Sequence, residues 1–518
     1  MRFRSLLSCS MLLVAVWASL PAEAAVTLPN IFGDHMVLQR HQANKIWGRA
    51  EPGEVIVCVF GNQQVTTTAG EDGQWSLQLA PMDASRRPQQ LVITGRVKAK
   101  SSTGKDAVST KTIEDVLVGE VWICSGQSNM EWRVANSNDP DLERVSAYFP
   151  EIRMVSFPNV GTQEPVWTHE GANWQVCSPE TVDGFSAVGY FFGRQLYQVI
   201  DVPIGLIDNS WGGSACEAWI SREVMEASGK FDARLSMFDN QAKELVELSS
   251  VENPSEEQKR AIARLNGNLR GNQRPANLYN GILKSHLGYG IRGAIWYQGE
   301  SNAGRAYAYR DLFPLMIDSW REEWGQGDFP FYWVQLADFR AEQPEPSDSA
   351  WAELREAQTM TMSRLKHTGE AVIIDIGEDK DIHPRNKVDV GRRLARWALA
   401  NEYGIDIAYH SPIYKSMEVG DGKITLTFDH VDNGWRPFDK SEPIGFAIAA
   451  SDKKFVWADA KIIRETGQIE VSSSQVAEPV AVRYAWADNP VCNMYDGATL
   501  PLTPFRTDDW PGVTVDAE

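Results

Sequence analysis

Hydrophobic and polar residues alternate along two stretches of the chain, one near each end. Single polar residues separate the apolar ones at Trp75, Leu77 and Leu79, and again at Ile424, Leu426 and Phe428. A period of two is typical of strands that bury one face and expose the other. We therefore predict an N-terminal β-sandwich-like domain over residues 25–110 and a C-terminal β domain over residues 406–518.

Between these stretches, short apolar runs alternate with longer segments of helical period. The runs are Val116–Cys124, Ile204–Asp208, Gly293–Trp296, Phe331–Leu336 and Ala371–Ile376. The helical segments include Ser186–Val199, Tyr307–Trp324, Trp351–Leu365 and Arg385–Ala400. Apolar strands separated by helices form a mostly parallel sheet with both faces covered. We predict an α/β domain over residues 111–405, joined to the first β domain by a polar linker at Lys98–Lys111.

The first residues have the pattern of an export signal. Arg2 and Arg4 precede an apolar run, and Ala22-Glu23-Ala24 follows it. A positive start, a short apolar region and small residues at the end are typical of a cleaved signal peptide. We predict that residues 1–24 are removed and that the protein is periplasmic or extracellular, with no membrane span.

Charge and residue spacing exclude several classes of function. The chain of 518 residues carries a formal net charge of −19, which argues against binding nucleic acid. It contains no pair of cysteines or histidines at metal-ligand spacing, so we predict no metal site. Protein partners are not indicated by the sequence.

One serine directly follows a predicted strand. Val121–Cys124 leads into Ser125-Gly126-Gln127-Ser128, which places Ser128 where an α/β sheet exposes side chains at its carboxyl edge. Ser128 could instead only cap the next helix. As a nucleophile it would need a base. Of the eight histidines, His383 lies in a polar loop after a predicted strand, and Asp381 lies two residues before it.

Two other strand ends carry hydrogen-bond donors suited to an oxyanion. Gly212 and Gly213 follow one strand, and paired glycines let backbone N–H groups approach a ligand. Gln298 and Asn302 follow another strand and offer side-chain amides. Donors of this kind stabilise the tetrahedral intermediate of acyl transfer.

Together these motifs resemble the sialate O-acetylesterase family of SGNH hydrolases. The resemblance rests on Gly126–Met130, Trp211–Ser214, Trp296–Asn302 and Asp381–Pro384, and also on Phe32–Gln39, Pro330–Leu336 and Pro504–Trp510. It covers nearly the whole chain after residue 24. It implies a flavodoxin-like, three-layer α/β hydrolase domain with flanking β domains, which removes O-acetyl groups from carbohydrates without a cofactor.

The resemblance also implies roles for individual residues. Ser128 would be the nucleophile, His383 the base and Asp381 the acid that orients it. The oxyanion donors would be the N–H groups of Ser128 and Gly213, with Gly212 as the alternative, and the Gln298 amide. The third motif departs from the usual Gly-x-Asn-Asp, so Asn302 competes with Gln298. The acid-to-base spacing is two rather than three, so Asp379 is an alternative acid.

The substrate stays open between sialic acids and other acetylated glycans such as xylan. Arg133 and Arg385 follow the nucleophile and the base, and either could bind a sialate carboxylate. The 19 tryptophans would also suit a non-catalytic carbohydrate-binding protein, although most tryptophans are core residues.

Overall fold

The structure, a computed structural model, describes residues 26–97 and 106–517, so the predicted signal at residues 1–24 lies outside it. The strands are β1 (Val37–Gln39), β2 (Asn44–Arg49), β3 (Val55–Phe60), β4 (Gln63–Thr68), β5 (Gln74–Leu79), β6 (Ser85–Val97), β7 (Ala107–Gly126), β8 (Phe149–Ser156), β9 (Gln175–Cys177), β10 (Ile204–Asp208), β11 (Gly293–Tyr297), β12 (Phe331–Val334), β13 (Thr368–Ala371), β14 (Ile413–Gly420), β15 (Lys423–Asp429), β16 (Phe446–Ala449), β17 (Phe455–Trp457), β18 (Asp459–Ile463), β19 (Gln468–Ser472), β20 (Ala481–Tyr484) and β21 (Phe505–Arg506). The helices are α1 (Ser128–Glu131), α2 (Pro140–Ser146), α3 (Ala187–Ile200), α4 (Arg222–Ser228), α5 (Asp232–Ser249), α6 (Glu256–Arg270), α7 (Asn277–Gly281), α8 (Ala306–Trp324), α9 (Ala350–Arg364) and α10 (Lys387–Asn401).

A mostly parallel sheet forms the centre of the molecule. Its order is β13-β12-β11-β7-β10-β8, with parallel pairing throughout and β9 antiparallel at the edge. The mixed α/β prediction is confirmed. Strand β8 was not predicted, because Pro150, Glu151 and Arg153 interrupt its apolar pattern.

Aromatic side chains pack helices against both faces of this sheet. Trp122 and Tyr332 face helices α3 and α10, where they contact Phe192 and Trp397. Trp296 of β11 and Trp333 of β12 lie on the opposite face of the sheet, where they pack on Phe313 of α8. Side chains alternate across a strand, so successive aromatic residues cover opposite faces. The carboxyl edge of the sheet is thereby held between two helical layers.

Strand β7 belongs to two sheets, which corrects the predicted linker. Its first half pairs antiparallel with β6 from Ala107 onward, and its second half lies between β10 and β11 in the central sheet. Residues 98–105 of the predicted linker lie outside the described residues. Residues 107–111 are strand, because their backbone groups pair with β6 although the side chains of Ser109, Thr110 and Lys111 are polar.

The C-terminal strands form two antiparallel sheets, β14-β15-β19-β18 and β17-β16-β20-β21. Their shared core includes Leu426, Ile448 and Val482. The predicted strand Ala371–Ile376 is wrong in its bounds, since pairing with β12 ends at Ala371. Val372 and Ile374 leave the sheet and pack in the C-terminal core instead. A run that is apolar throughout does not distinguish these two ways of being buried.

Candidate active site

Strand β7 ends at Gly126, and Ser128 begins the short helix α1. Gly126 has φ +135°, and a Cβ added there would lie 2.2 Å from the Tyr297 carbonyl oxygen. Only glycine lets the chain turn this close to β11. The turn places the half-buried Ser128 side chain at the carboxyl edge of the sheet.

The structure brings His383 to Ser128 across 255 residues of sequence, with His383 Nε2 2.9 Å from Ser128 Oγ. On the far side of the ring, Asp381 Oδ1 lies 3.3 Å from Nδ1. The same oxygen accepts a hydrogen bond of 2.9 Å from the His383 backbone N–H. A carboxylate can only accept, so Nδ1 carries the hydrogen and Nε2 is free to accept the serine proton.

The other carboxylate of this loop points away from the imidazole. Asp379 lies 3.8 Å from Lys380 in a solvent-exposed pair, with side chains 59% and 91% exposed. Of the two predicted alternatives, Asp381 is the one that the structure places against His383.

The surroundings favour neutral His383. Burial lowers its pKa below 6.5, and the positive charge of Lys387 acts in the same direction. Asp381 opposes both effects through its charge and its hydrogen bond. A neutral imidazole is the form that can take a proton from Ser128.

Trp132 lies flat against the imidazole, a contact that the motifs did not reveal. The two ring centroids are 4.9 Å apart, with an angle of 12° between the planes. Trp132 lies four residues after Ser128, and residues at this spacing share one side of a helical turn. That spacing is the signal that could have found it. The stacked ring restricts rotation of His383 and covers one face of it.

Two backbone N–H groups beside Ser128 are available as donors. Those of Ser128 and Gly213 donate no hydrogen bond within the part of the chain that the structure describes. A Cβ added to Gly212 would lie 3.4 Å from Ser128 Cβ, so the Gly212–Gly213 turn directly faces the serine. The Gly212 N–H itself donates to Glu131 Oε2 at 2.6 Å, which makes it a bound donor. Gly213 has φ +72°, which suits glycine.

The predicted oxyanion role of Gln298 does not fit the structure. Gln298 is fully buried, and its Nε2 donates to the Ser214 carbonyl at 3.0 Å and to Asn302 Oδ1 at 2.7 Å. Its Oε1 accepts from the Tyr309 hydroxyl at 2.9 Å. An amide nitrogen has two hydrogens, and both are used. Gln298 therefore braces the loops rather than facing the cleft.

The Asn302 side chain also forms hydrogen bonds with protein partners. Its Nδ2 donates to Glu217 Oε2 at 2.9 Å, and its Oδ1 accepts from the Cys216 N–H at 3.0 Å. The residue is 1% exposed. Protein partners therefore hold both predicted side-chain donors: Gln298 Nε2 uses both of its hydrogens, and Asn302 Nδ2 uses one of its two within the described residues.

Gln127 offers the amide that the other two lack. Its Oε1 accepts from the backbone N–H groups of Gly299 and Ser301, each at 3.3 Å. These bonds fix the orientation of the amide, and its Nε2 has no hydrogen-bond partner among the described residues. Gln127 immediately precedes Ser128 in the chain, so it is a candidate side-chain donor for this site.

The two arginines suggested for substrate binding are both solvent-exposed. Arg133 follows the stacked Trp132, and Arg385 follows the His383 loop. The backbone N–H of Arg385 donates to Glu378 Oε1 at 3.0 Å. Neither guanidinium forms an ion pair within residues 26–97 and 106–517. Both charges are therefore available at the rim of the cleft.

The same described residues contain no group of three or more histidine, cysteine, aspartate or glutamate side chains that could hold a metal ion. Among them, none of the helices has the length and apolarity needed to cross a membrane.

Comparison with known proteins gives one consistent result. The family described as carbohydrate esterase, sialic acid-specific acetylesterase matches residues 267–400. Sialate O-acetylesterase from Mus musculus is 29% identical over 95% of this chain and 96% of its own, and the Homo sapiens enzyme is 28% identical over 96% of both. The crystal structure of a carbohydrate acetylesterase from Xanthomonas citri shares 35% identity and a TM-score of 0.79, covering 94% of this chain and 100% of that one. The shared fold, the near-complete coverage and the motifs around Ser128 and His383 place the chain in the sialate O-acetylesterase family of carbohydrate esterases.

Proposed function

We propose that the protein hydrolyses O-acetyl esters of carbohydrates, with O-acetylated sialic acids as its substrates. The observation that carries the proposal is the 2.9 Å contact between Ser128 Oγ and His383 Nε2, beside two unused backbone N–H groups. Serine, neutral histidine and free donors at one point are the parts needed for acyl transfer. A non-catalytic binding protein has no need of this arrangement.

The reaction proceeds in two halves. His383 Nε2 takes the Ser128 proton as Oγ attacks the acetyl carbonyl, and Asp381 stabilises the imidazolium that forms. The tetrahedral intermediate collapses, the C–O bond to the sugar breaks, and His383 returns the proton to the departing sugar oxygen. Water, deprotonated by His383, then attacks acetyl-Ser128. The bond between Ser128 Oγ and the acetyl carbon breaks, His383 returns the proton to Oγ, and acetate leaves.

Three donors face the developing oxyanion in this account. They are the backbone N–H groups of Ser128 and Gly213 and the Nε2 of Gln127, which replaces Gln298 in the role predicted from sequence. Removing one such donor typically costs about a hundredfold or more in kcat. The bonds from Gly299 and Ser301 to Gln127 Oε1 keep the amide fixed before the substrate arrives.

We also propose domain boundaries, an export signal and a cellular location for the protein. We assign residues 111–405 to a flavodoxin-like SGNH hydrolase domain and residues 25–110 and 406–518 to flanking β domains. The parallel order β13-β12-β11-β7-β10-β8 between helical layers supports this assignment. Residues 1–24 are an export signal, and the protein acts in the periplasm or outside the cell.

Arg133 and Arg385 favour an anionic sugar. Both are exposed near Ser128 and His383 and lack a carboxylate partner within the described part of the chain. A guanidinium suits the sialate carboxylate because it can form two parallel hydrogen bonds to it.

Acetate release from a panel of substrates tests the function. The panel contains O-acetylated sialic acid, acetylated xylan and an aryl acetate, each with the parent protein and with Arg133→Ala and Arg385→Ala. We expect the highest kcat/KM on the sialate, and a rise in KM confined to it in at least one arginine variant. Preference for xylan with no arginine effect would contradict the sialate assignment, and no turnover of any ester would contradict the esterase.

A further inference from the structure

The side chain of Asn129 joins the nucleophile segment to the base loop. Its Nδ2 donates to the Ile382 carbonyl at 3.0 Å and to Glu300 Oε1 at 2.7 Å. Its Oδ1 accepts from the ammonium of Lys387. Asn129 follows Ser128 directly and Ile382 precedes His383, so one amide, 1% exposed, holds the two reacting residues in register.

Lys387 is a fully buried cation behind this amide. Its ammonium lies 5.3 Å from the Tyr297 ring centroid and 5.8 Å from that of Trp132, the ring that stacks on His383. Burial lowers the pKa of Lys387 to about 7, while Glu300, Asp381 and Glu378 act in the opposite direction. Within residues 26–97 and 106–517, Glu300 Oε2 has no hydrogen-bond partner and Lys387 forms no ion pair with a carboxylate.

A buried charge of this kind is an expensive way to stabilise a fold, since apolar residues of the same volume often do as well. Its position suggests another use. The charged groups acting on His383 are Asp381 and Lys387, and they act in opposite directions. Asp381 stabilises the imidazolium, and Lys387 destabilises it. Below about pH 7 Lys387 is mostly protonated, so its repulsion is present where His383 would otherwise gain a proton.

We propose that Asn129 and Lys387 are positioning residues for the esterase reaction, in which Asn129 fixes the His383 loop against Ser128 and the Lys387 charge keeps the free imidazole unprotonated. The proposal rests on the proposed esterase function, and neither residue touches the reacting atoms. The hydrogen bond and the charge are separate contributions, so they can be removed separately.

The test compares two neutral substitutions. Lys387→Gln keeps a donor for Asn129 Oδ1 and loses the charge, whereas Lys387→Met loses both. Loss of the charge should raise the pKa of His383. We therefore expect the acid limb of the pH profile of kcat/KM to shift to higher pH by roughly half a pH unit or more in both variants. Only Lys387→Met should also lower the plateau kcat, by about tenfold, with KM little changed. Lys380→Met, which removes an exposed charge near the same loop, is the matched control and should leave the limb in place.

Melting curves and an NMR titration of the His383 ring accompany the kinetics. The titration needs no turnover, so it tests Lys387 even if the esterase assignment fails. An unchanged His383 titration in both variants, as in Lys380→Met, would overturn the electrostatic role. Loss of folded protein in both variants would show that Lys387 serves the fold alone and would also overturn the proposal.

A second, independent observation concerns a groove between α10 and the C-terminal strands. It has a volume of about 740 Å³, and four arginines line it: Arg392, Arg393, Arg396 and Arg436. Arg393 is paired with Asp375, but Arg392 has only a 3.6 Å contact with Asp389, and the Arg436 side chain has no partner within the described residues. Two carboxylates, Asp389 and Asp439, also line the groove, so four arginines and two aspartates give its lining a formal charge of +2 in a chain of net charge −19.

Phe438 lies on the same groove and is 71% exposed. Exposed aromatic rings bind the apolar faces of sugars, and unpaired guanidinium groups bind carboxylates. From this charge complementarity we infer that the groove is a second binding site for a carboxylated sugar, separate from Ser128. Helix α10 begins four residues after His383, so the groove and the cleft lie along one helix.

Calorimetric titration of the full chain with N-acetylneuraminic acid tests this site, with N-acetylmannosamine as the uncharged probe. We expect saturable binding of the acid alone, weakened tenfold or more in Arg392→Ala/Arg436→Ala. The control is Arg260→Ala/Arg264→Ala, two exposed arginines of α6. Turnover of an aryl acetate should be unchanged in both. Absent binding by the parent, or equal binding by the groove variant, would overturn the inference.

Discussion

The segments that follow strands β7 and β11 both contain a glutamine and an asparagine, at Gln127 and Asn129 in the first and at Gln298 and Asn302 in the second. In the second segment both amides donate to protein partners and are fully or almost fully buried. In the first, Asn129 is saturated, but the Nε2 of Gln127 has no hydrogen-bond partner among the described residues. The same residue types thus brace the cleft on one side and supply it with donors on the other. What distinguishes them is which hydrogen bonds remain unfilled.

The largest expected effect comes from removing the reactive group of the first segment. Ser128→Ala should reduce kcat on the order of 10⁴-fold or more, because no other hydroxyl among the described residues bonds to His383 Nε2. The melting temperature should stay close to that of the parent. Activity within a few-fold of the parent would remove Ser128 as the nucleophile.

The next largest effect is expected from substituting Asp381 rather than Asp379, the two candidate acids of the His383 loop. Asp381→Asn should lower kcat/KM by about a hundredfold or more, because an amide no longer stabilises the imidazolium. Asp379→Asn, the matched control, should change it less than twofold, since Asp379 is exposed and lies in a solvent-exposed pair with Lys380. A larger loss in Asp379→Asn would reverse the assignment of the acid.

The glutamines test the comparison itself. Gln127→Ala should lower kcat about a hundredfold with an unchanged melting temperature, because it removes a donor used only by the oxyanion. Gln298→Ala should lower stability by about 3 kcal/mol, since it leaves the Tyr309 hydroxyl and the Ser214 carbonyl without their buried partner. Steady-state kinetics and thermal melts on both variants decide it. A loss of kcat in Gln298→Ala at full stability would restore Gln298 as the donor.

The smallest expected effect concerns the pH at which kcat/KM falls on the acidic side of its pH profile. The pKa of His383 is lowered from 6.5 by burial, so the neutral, active form persists to lower pH than for a free imidazole. We expect kcat/KM to be half-maximal below pH 6.5 and to fall as the pH drops through the lowered value. A profile of kcat/KM on an aryl acetate measures it. Half-maximal activity well above 6.5 would contradict the electrostatic account of the site.

The sequence was a good guide to the central sheet and to the proximity of Ser128, Asp381 and His383. Strand β10 has the predicted bounds, and α3 begins one residue after the predicted start because Ser186 is its N-cap. The bounds of β13 could not be predicted, since Val372 and Ile374 are equally apolar in a sheet or in the C-terminal core. The positions of Ser128 and His383 follow from strand ends, which a linear pattern reveals.

The choice between Gln127 and Gln298 could not be made from sequence. It depends on Tyr309 and Ser214, whose approach to Gln298 is set by packing of α8 and of the turn after β10. The same is true of Lys387, whose spacing of four from His383 is visible but whose burial is not. Sequence motifs identify which polar side chains lie near the carboxyl edge of the sheet. Tertiary contacts determine which of these side chains have no hydrogen-bond partner in the protein.

The most direct test of the central claim is chemical labelling of Ser128. The parent protein is treated with a fluorophosphonate, which reacts with activated serines, and its peptides are analysed by mass spectrometry alongside those of His383→Ala. We expect a single adduct on Ser128 that forms in step with loss of esterase activity and is nearly absent in His383→Ala. Inactivation with the adduct on another residue, or equal labelling without His383, would contradict it.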